Sequence, residues 1–271
     1  MNSALQPTLP SDVRLMNGLA NAMFVLAGVA LLAAAAWWLV RLPAFAIRSV
    51  RLEGELTRNS VHTVRANAVP KLQGNFFTLN LDRARQAFES VPWVQRAVVQ
   101  RVWPGQLKVR LIEHKPAALW QDSEGSELLV NREGVVFEAN LGDVEDENLP
   151  AFSGPPGTAA LVLAMYQRLQ PLLQQLDAEL VGLALSDRGS WRAELDTGAT
   201  VELGRGTEAE VLARAERFVR TITQVTGHYQ RPLVYADLRH VDGYAVRLQG
   251  ITTSLTPADA AKAAARAKKR N

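Results

Sequence analysis

Side-chain chemistry could begin at a few places in this sequence, and each is weaker than its residue types suggest. The histidines, His62, His114, His228 and His240, lie far apart, without the short spacings that a zinc site uses. The loop from Gly142 to Asn148 gathers Asp143, Glu145, Asp146 and Glu147. It lacks the Asp-x-Asp-x-Asp-Gly pattern that seats a hard cation, so it reads as a solvated acidic loop. Gly204-x-Gly206 is a poor phosphate signature and reads as a strand-to-helix turn before Thr207. Ser186-Asp187 has no histidine base nearby in sequence, and no Gly-x-Ser-x-Gly elbow occurs. The chain has no cysteine, which excludes disulfides and thiolate metal sites. The expectation is a protein that is not an enzyme, with no catalytic, cofactor or metal residues.

A further feature is a mirrored pair. Pro92-Trp93 opens the run "PWVQRAVVQRVWP" and Trp103-Pro104 closes it. No nucleophile or paired carboxylate accompanies the tryptophans. Pro92 disfavours helix for the residue before it, Trp93 offers a large apolar surface, and Pro104 fixes φ in a turn. Core and turn chemistry is the first reading of this pair. A peptide-docking surface is the second.

Composition places these features on an ordinary globular chain with a membrane segment. Of 271 residues, 48% are hydrophobic and 21% charged, enough for one large domain or two small ones. The net charge of +3 is concentrated in the tail after Pro257, where Lys262, Arg266, Lys268, Lys269 and Arg270 face only Asp259. The rest is near neutral and shows no nucleic-acid surface. The apolar run Ala22–Val40 is long enough, at ~1.5 Å per residue, to cross a ~30 Å hydrocarbon core. Trp37 and Trp38 stand near its end, where amphipathic rings favour the interface. Ala44-Phe45-Ala46 fits a signal-peptide cleavage rule, but the run exceeds the ~7–15 residues of a signal core, which favours an uncleaved anchor. Arg14 precedes the span, and Arg41, Arg48 and Arg51 follow it, so charge alone leaves the orientation open.

Two units follow the span. In the first, "FAIRSVRLEGEL" reads as a strand with Val50 and Leu52 on one face. "NSVHTVRANAV" reads as a helix capped by Asn59 or Ser60, with Val61, Val64 and Ala68 on one side. A second helix is capped by Asn80 and striped by Leu81, Ala84 and Phe88. Strands over Trp93–Val102 and "QLKVRLIE" complete the order β-α-α-β-β. The second unit is strand-rich. A hairpin turns at Asn131–Gly134, and a helix is expected to kink or break at Pro171. A further hairpin sets Trp191, Ala193 and Leu195 against Arg192, Glu194 and Asp196. A second helix opens with a capping box of Thr207 and Glu210 and buries Val211, Ala215, Phe218 and Ile222. A strand, an Asp242-Gly243 turn and a final strand close the unit, with Tyr244, Val246 and Leu248 sharing a face. Little chain follows that strand to cover its other side, and an unpaired edge can accept a foreign strand. A covered or charged edge is the equal alternative from these residues alone.

The segments "FAIRSVRLEG", "GNFFTLNLDRARQAFESVPWVQRAVVQRVWPGQLKVRLIEHKPAALW", "NREGVVFE", "LPAFSGPPG", "SDRGSWRAELDTGATVELGR" and "VYADLRHVDGYAVR", in that order, resemble the FtsQ/DivIB family of bacterial cell-division proteins. The resemblance covers about residues 20–248. It implies an α+β chain with a single N-terminal transmembrane helix, a β-α-α-β-β POTRA domain, and a second mixed, mainly antiparallel β domain with flanking helices. The expected layout is a short cytoplasmic N-terminus 1–17, a transmembrane helix 18–41, a POTRA domain 45–115, a C-terminal β domain 116–250 and a basic Ala-rich flexible tail 251–271. It implies a single-pass protein of the inner membrane, with the bulk periplasmic and enriched at the division septum. It also implies a scaffold that links early and late division proteins. FtsB, in complex with FtsL, would bind the C-terminal β domain, and other division proteins would meet the POTRA and transmembrane segments. Arg188 matches a partner-contacting arginine of the family. Gly243, Tyr244, Ala245, Val246 and Arg247 match its binding strand. One departure is His240, where members often carry an aromatic after Asp-Leu-Arg. Its imidazole can still stack on a partner. Two rival readings stand beside this one. A POTRA-type chaperone or secretion adaptor would bind extended client peptides, but the chain has one module and no run of ~9–11-residue barrel strands. A cleaved periplasmic protein would begin at Ile47.

Overall fold

The computed structural model describes residues 11–54, 56–122, 125–240 and 243–251. Most of the expected tail and Asp242 of the expected Asp-Gly turn therefore lie outside the described residues. Helix α1 (Ser11–Val40) contains a span, Leu15–Val40, long and apolar enough to cross a membrane, with none of it buried by the protein. It starts before the expected residue 18, with Asp12 placed favourably at the positive end of the helix dipole. A short 3-10 turn, Pro43–Phe45, ends it. Beyond it the chain divides into two compact units, with the boundary between Glu113 and His114.

The first unit has the expected order: β1 (Ser49–Glu53), α2 (Val61–Ala68), α3 (Leu81–Glu89), β2 (Val94–Val102) and β3 (Gln106–Glu113). The sheet order is β1-β3-β2, with β1 parallel and β2 antiparallel to the central β3. Caps set both helix starts. Ser60 Oγ accepts from the Thr63 N–H at 3.0 Å, and Asn80 Oδ1 accepts from the N–H groups of Asp82 and Arg83. Asn59, the other candidate cap, is buried and donates its side-chain amide to Pro92 O. The core joins Val64, Ala68, Ala84 and Phe88 of the helices to Leu107, Val109 and Leu111 of β3. Val61, expected on that face, stays exposed.

The tryptophan pair follows the core-and-turn reading. Trp93 is 3% exposed, with the Arg58 guanidinium over its ring. Trp103 is 64% exposed, in the β2–β3 turn, where its peptide bond to Pro104 is cis. The first belongs to the core and the second to the surface.

The second unit is one nine-stranded mixed sheet with two helices. Its elements are β4 (Pro116–Gln121), β5 (Glu127–Asn131), β6 (Val136–Phe137), β7 (Ala151–Ser153), α4 (Ala159–Leu173), β8 (Leu180–Leu185), β9 (Trp191–Leu195), β10 (Thr200–Gly204), α5 (Glu208–Tyr229), β11 (Leu233–Asp237) and β12 (Ala245–Leu248). The strand order is β12-β11-β10-β9-β8-β7-β4-β5-β6. Most neighbours run antiparallel, and β4–β7, β7–β8 and β10–β11 run parallel. Parallel neighbours need a crossover, and α4 and α5 supply those of β7–β8 and β10–β11. The helices touch each other, and their apolar stripes pack with the strands into one core. The stripe Val211, Ala215, Phe218 and Ile222 is buried as expected, and the Thr207–Glu210 capping box forms in both directions. Strand β9 alternates buried and exposed from Trp191 to Leu195, as the sequence pattern requires. Helix α4 departs from expectation, because it passes through Pro171 and ends only at Leu173. Proline costs a helix its i−4 bond and clashes with that carbonyl, but here it falls in the last turn, flanked by the buried Leu169 and Leu173. The acidic loop is also more ordered than a solvated strand of carboxylates. It forms a 3-10 turn, Leu141–Val144, where Asn140 Oδ1 accepts from Gly142 N–H and Val144 is buried. Among the described residues no group of His, Asp or Glu side chains is arranged to hold a metal.

Candidate partner-binding edge

The sheet of the second unit ends in β12, which pairs with β11 alone among the described residues. The register sets Ala245 opposite Asp237, Val246 opposite Ala236, and Arg247 opposite Tyr235. It shifts between Leu233 and Tyr235, so Val234 is an extra residue on β11, a β-bulge. Gln249 N–H donates to Pro232 O at 3.0 Å just beyond the strand. Bonding direction alternates along an antiparallel strand, so Ala245 and Arg247 direct their backbone groups at β11 too. Those of Val246 point away from the sheet, as does the N–H of Leu248, whose carbonyl is taken by Ile251 N–H at 3.3 Å in the turn that follows.

Side chains fix this edge from both faces. Tyr244, just before β12, hydrogen-bonds through its hydroxyl to Thr221 Oγ1 at 2.7 Å and meets Phe218 edge-on with ring centroids 5.2 Å apart. Both partners lie on α5, so the entry into β12 is tied to the core helix. Val246 packs against the core, whereas Ala245 and Arg247 are exposed on the other face. The Arg247 guanidinium lies 5.3 Å from the Tyr235 ring centroid.

The strand directions gather the remaining candidates at one end of the sheet. Strand β9 begins, β10 and β11 finish, and β12 begins at that end. Arg188 is exposed in the tight turn before β9, where Gly189 N–H donates to Ser186 O and Ser190 N–H donates to Ser186 Oγ. His240 is exposed just after β11, and Gly243 and Tyr244 lead into β12. With strands ~4.8 Å apart, β9 lies ~14 Å from β12 across the sheet. Arg188 therefore shares the end of the edge strand without belonging to the edge itself.

An ion pair that the sequence reading did not single out braces this end. Arg239 donates from Nε to Asp237 Oδ1 at 2.8 Å and from Nη2 to Oδ2 at 2.6 Å, and its backbone N–H adds a bond of 3.0 Å to Oδ1. This two-pronged pairing holds the Asp237 carboxyl down at about 2, against the opposing effect of burial. Gly204 makes room for it: a Cβ there would come within 2.8 Å of Arg239 Cγ, and its φ is +80°. The signal was present as Asp-x-Arg at the end of a strand, where residues two apart share a face. On the outer face of the sheet Arg192 pairs with Glu202 at 2.7 Å.

This arrangement offers backbone donors and acceptors, an exposed arginine at one end and a half-buried tyrosine anchor. That is the equipment for holding another polypeptide chain. Comparison with known proteins identifies both folded units. Residues 45–114 match the FtsQ-type POTRA domain, and residues 118–239 match the C-terminal region of the cell division protein FtsQ/DivIB. The second match stops just short of His240 and β12. Cell division protein FtsQ of Thiomonas arsenitoxydans is 42% identical over 93% of this chain and 93% of its own length. Those of Burkholderia pseudomallei and Bordetella pertussis are 40% and 37% identical, over 89% and 88% of this chain and 95% and 92% of theirs. Both folded units match in order, and the relatives align across most of the length of both chains. The chain belongs to the FtsQ family of cell division proteins.

Proposed function

We propose that the protein is a non-catalytic scaffold of the division machinery that captures FtsB, in complex with FtsL, by strand addition at β12. The observation that carries this reading is the outer side of β12, unpaired among the described residues, where the N–H and carbonyl of Val246 and the N–H of Leu248 face away from the sheet. A foreign strand laid there gains backbone hydrogen bonds for affinity. The alternating environments of Ala245, Val246 and Arg247 give it specificity. Arg188, His240, Gly243 and Tyr244 stand at the end of the sheet where such a strand would enter or leave. The exposed Arg188 suits a carboxylate on the partner. In this reading α1 anchors the protein in the inner membrane with residues 1–17 cytoplasmic. The units at 45–115 and 116–250 are then periplasmic, and the assembly supports wall synthesis at the septum.

Site-specific photo-crosslinking in cells tests it, with the probe placed singly at Arg188, Ala245, Val246 and Arg247. FtsB adducts are expected at Arg188 and at the strand positions. Silence at all four, with the protein present and membrane-bound, would move the partner site elsewhere.

A further inference from the structure

The first unit carries six aromatic rings outside α1. Phe88 and Trp93 are buried. The other four, Phe45, Phe76, Phe77 and Trp103, are half-buried or exposed, and all of them meet in one cluster. Phe45 and Phe77 stack edge-on at 5.0 Å, Phe76 and Phe77 at 5.3 Å, and Trp103 stands 5.6 Å from Phe76 and 6.4 Å from Phe45. Phe77 is 47% and Trp103 64% exposed. A soluble domain seldom leaves its large rings together in water.

The place of the cluster says what covers it. Asn75 donates its side-chain amide to Val40 O, the last residue of α1, at 2.6 Å. Phe76 N–H donates to Phe45 O at 2.9 Å, and Arg48 N–H to Gly105 O at 2.8 Å. The loop bearing Phe76 and Phe77 and the turn bearing Trp103 are thus bonded to the end of the membrane helix and the segment leaving it. The span Leu15–Val40 has 26 residues and, at ~1.5 Å each, is ~39 Å long. A hydrocarbon core is ~30 Å thick and a whole bilayer ~40–45 Å, so the Val40 end lies among the headgroups. That depth is where aromatic rings are favoured. Arg41, whose guanidinium is 3.8 Å from the Trp37 ring centroid, and the exposed Arg48 suit anionic headgroups there.

We infer that Phe45, Phe76, Phe77 and Trp103 form a second membrane contact, which seats the POTRA unit in the headgroup layer of an anionic bilayer beside its own helix. The inference rests on reading α1 as a membrane span. Together with the bonds to Val40 O and Phe45 O, the rings set the distance and tilt of the unit above the bilayer.

The absence of cysteine makes the test direct, because one introduced cysteine reports alone. The full chain is placed in phosphatidylethanolamine–phosphatidylglycerol vesicles containing nitroxide-labelled lipid. A fluorophore is attached singly at Gln73→Cys, near the cluster, at Ile112→Cys, toward the other end of β3, or at Ala33→Cys inside α1. Quenching is expected at positions 33 and 73 and not at 112. Adding Phe77→Ser and Trp103→Ser is expected to abolish the quenching at 73 and leave that at 33 unchanged. Should the double variant unfold by circular dichroism, Trp103→Ser alone carries the same comparison, since that ring is largely exposed. Position 73 unquenched, or quenched equally without the rings, overturns the inference while the span stands. Position 33 unquenched overturns the span and the inference with it.

Discussion

Proline at position 246 separates the two sides of β12. The outward-pointing N–H of Val246 makes no bond to β11, so Val246→Pro leaves the β11–β12 ladder intact. It deletes a donor that an added strand would use, and proline is tolerated on an edge for this reason. The lost bond leaves a carbonyl of the incoming strand unpaired as it is desolvated, a cost of about 1–3 kcal/mol. At about 1.4 kcal/mol per tenfold, FtsB–FtsL binding should weaken about 5- to 150-fold. Val246 also packs against the core, so Val246→Ala is the reference that removes packing without removing the donor. Arg247→Pro is the opposite control, since it deletes an inward N–H and breaks the ladder itself. The assay is the Kd of the FtsB–FtsL complex for each full-length variant, measured beside its thermal unfolding. Val246→Pro should lose affinity relative to Val246→Ala at nearly unchanged Tm, whereas Arg247→Pro should lose both. Unweakened binding by a folded Val246→Pro protein would refute strand addition at this edge.

The mirrored tryptophans should behave differently. Trp93→Ala should cost about 3–5 kcal/mol in denaturant unfolding, as large buried rings do, while Trp103→Ala should cost less than about 1 kcal/mol. The Asp237–Arg239 pair should make stability depend on acid. A carboxyl held at about 2 when folded and near 3.9 when unfolded contributes stability that is fully present above about pH 4 and lost as pH falls toward 2. Thermal unfolding of Asp237→Asn should lack that part of the decline, and an identical acid profile would remove the pair from the account. Thr207→Ala removes the hydroxyl that accepts from Glu210 N–H, leaves the backbone arm from Thr207 N–H to the Glu210 carboxylate, and should cost about 1 kcal/mol, read from the urea midpoint.

Much of the fold was legible because its signals are local. The alternation of Trp191 to Leu195, the caps at Ser60, Asn80 and Thr207, and the stripe of α5 each depend on residues a few positions apart. Pro171 was read as a place to kink or break, yet α4 runs through it to Leu173; the burial of Leu169 and Leu173 on either side is a tertiary effect that no local pattern announced. The fates of Trp93 and Trp103 were not legible either, since both have the same neighbour and their burial depends on what packs over each end of β2. The candidate edge was half legible. That Tyr244, Val246 and Leu248 share one face of a final strand was legible from their alternation. That Arg188 shares its end of the sheet depends on the order and direction of four strands, set by the α5 crossover, and no local pattern encodes that.

The position of β12 also has a consequence for timing. Among the described residues it is the last strand of the sheet in chain order, and its one neighbour is β11. That strand in turn lies beside β10 only after the whole of α5 has crossed the sheet. Until those steps are complete there is no β12 edge to offer. On the proposed reading, a molecule stalled on the way to its native state presents no docking strand, and partner binding would sample only molecules whose second unit is finished.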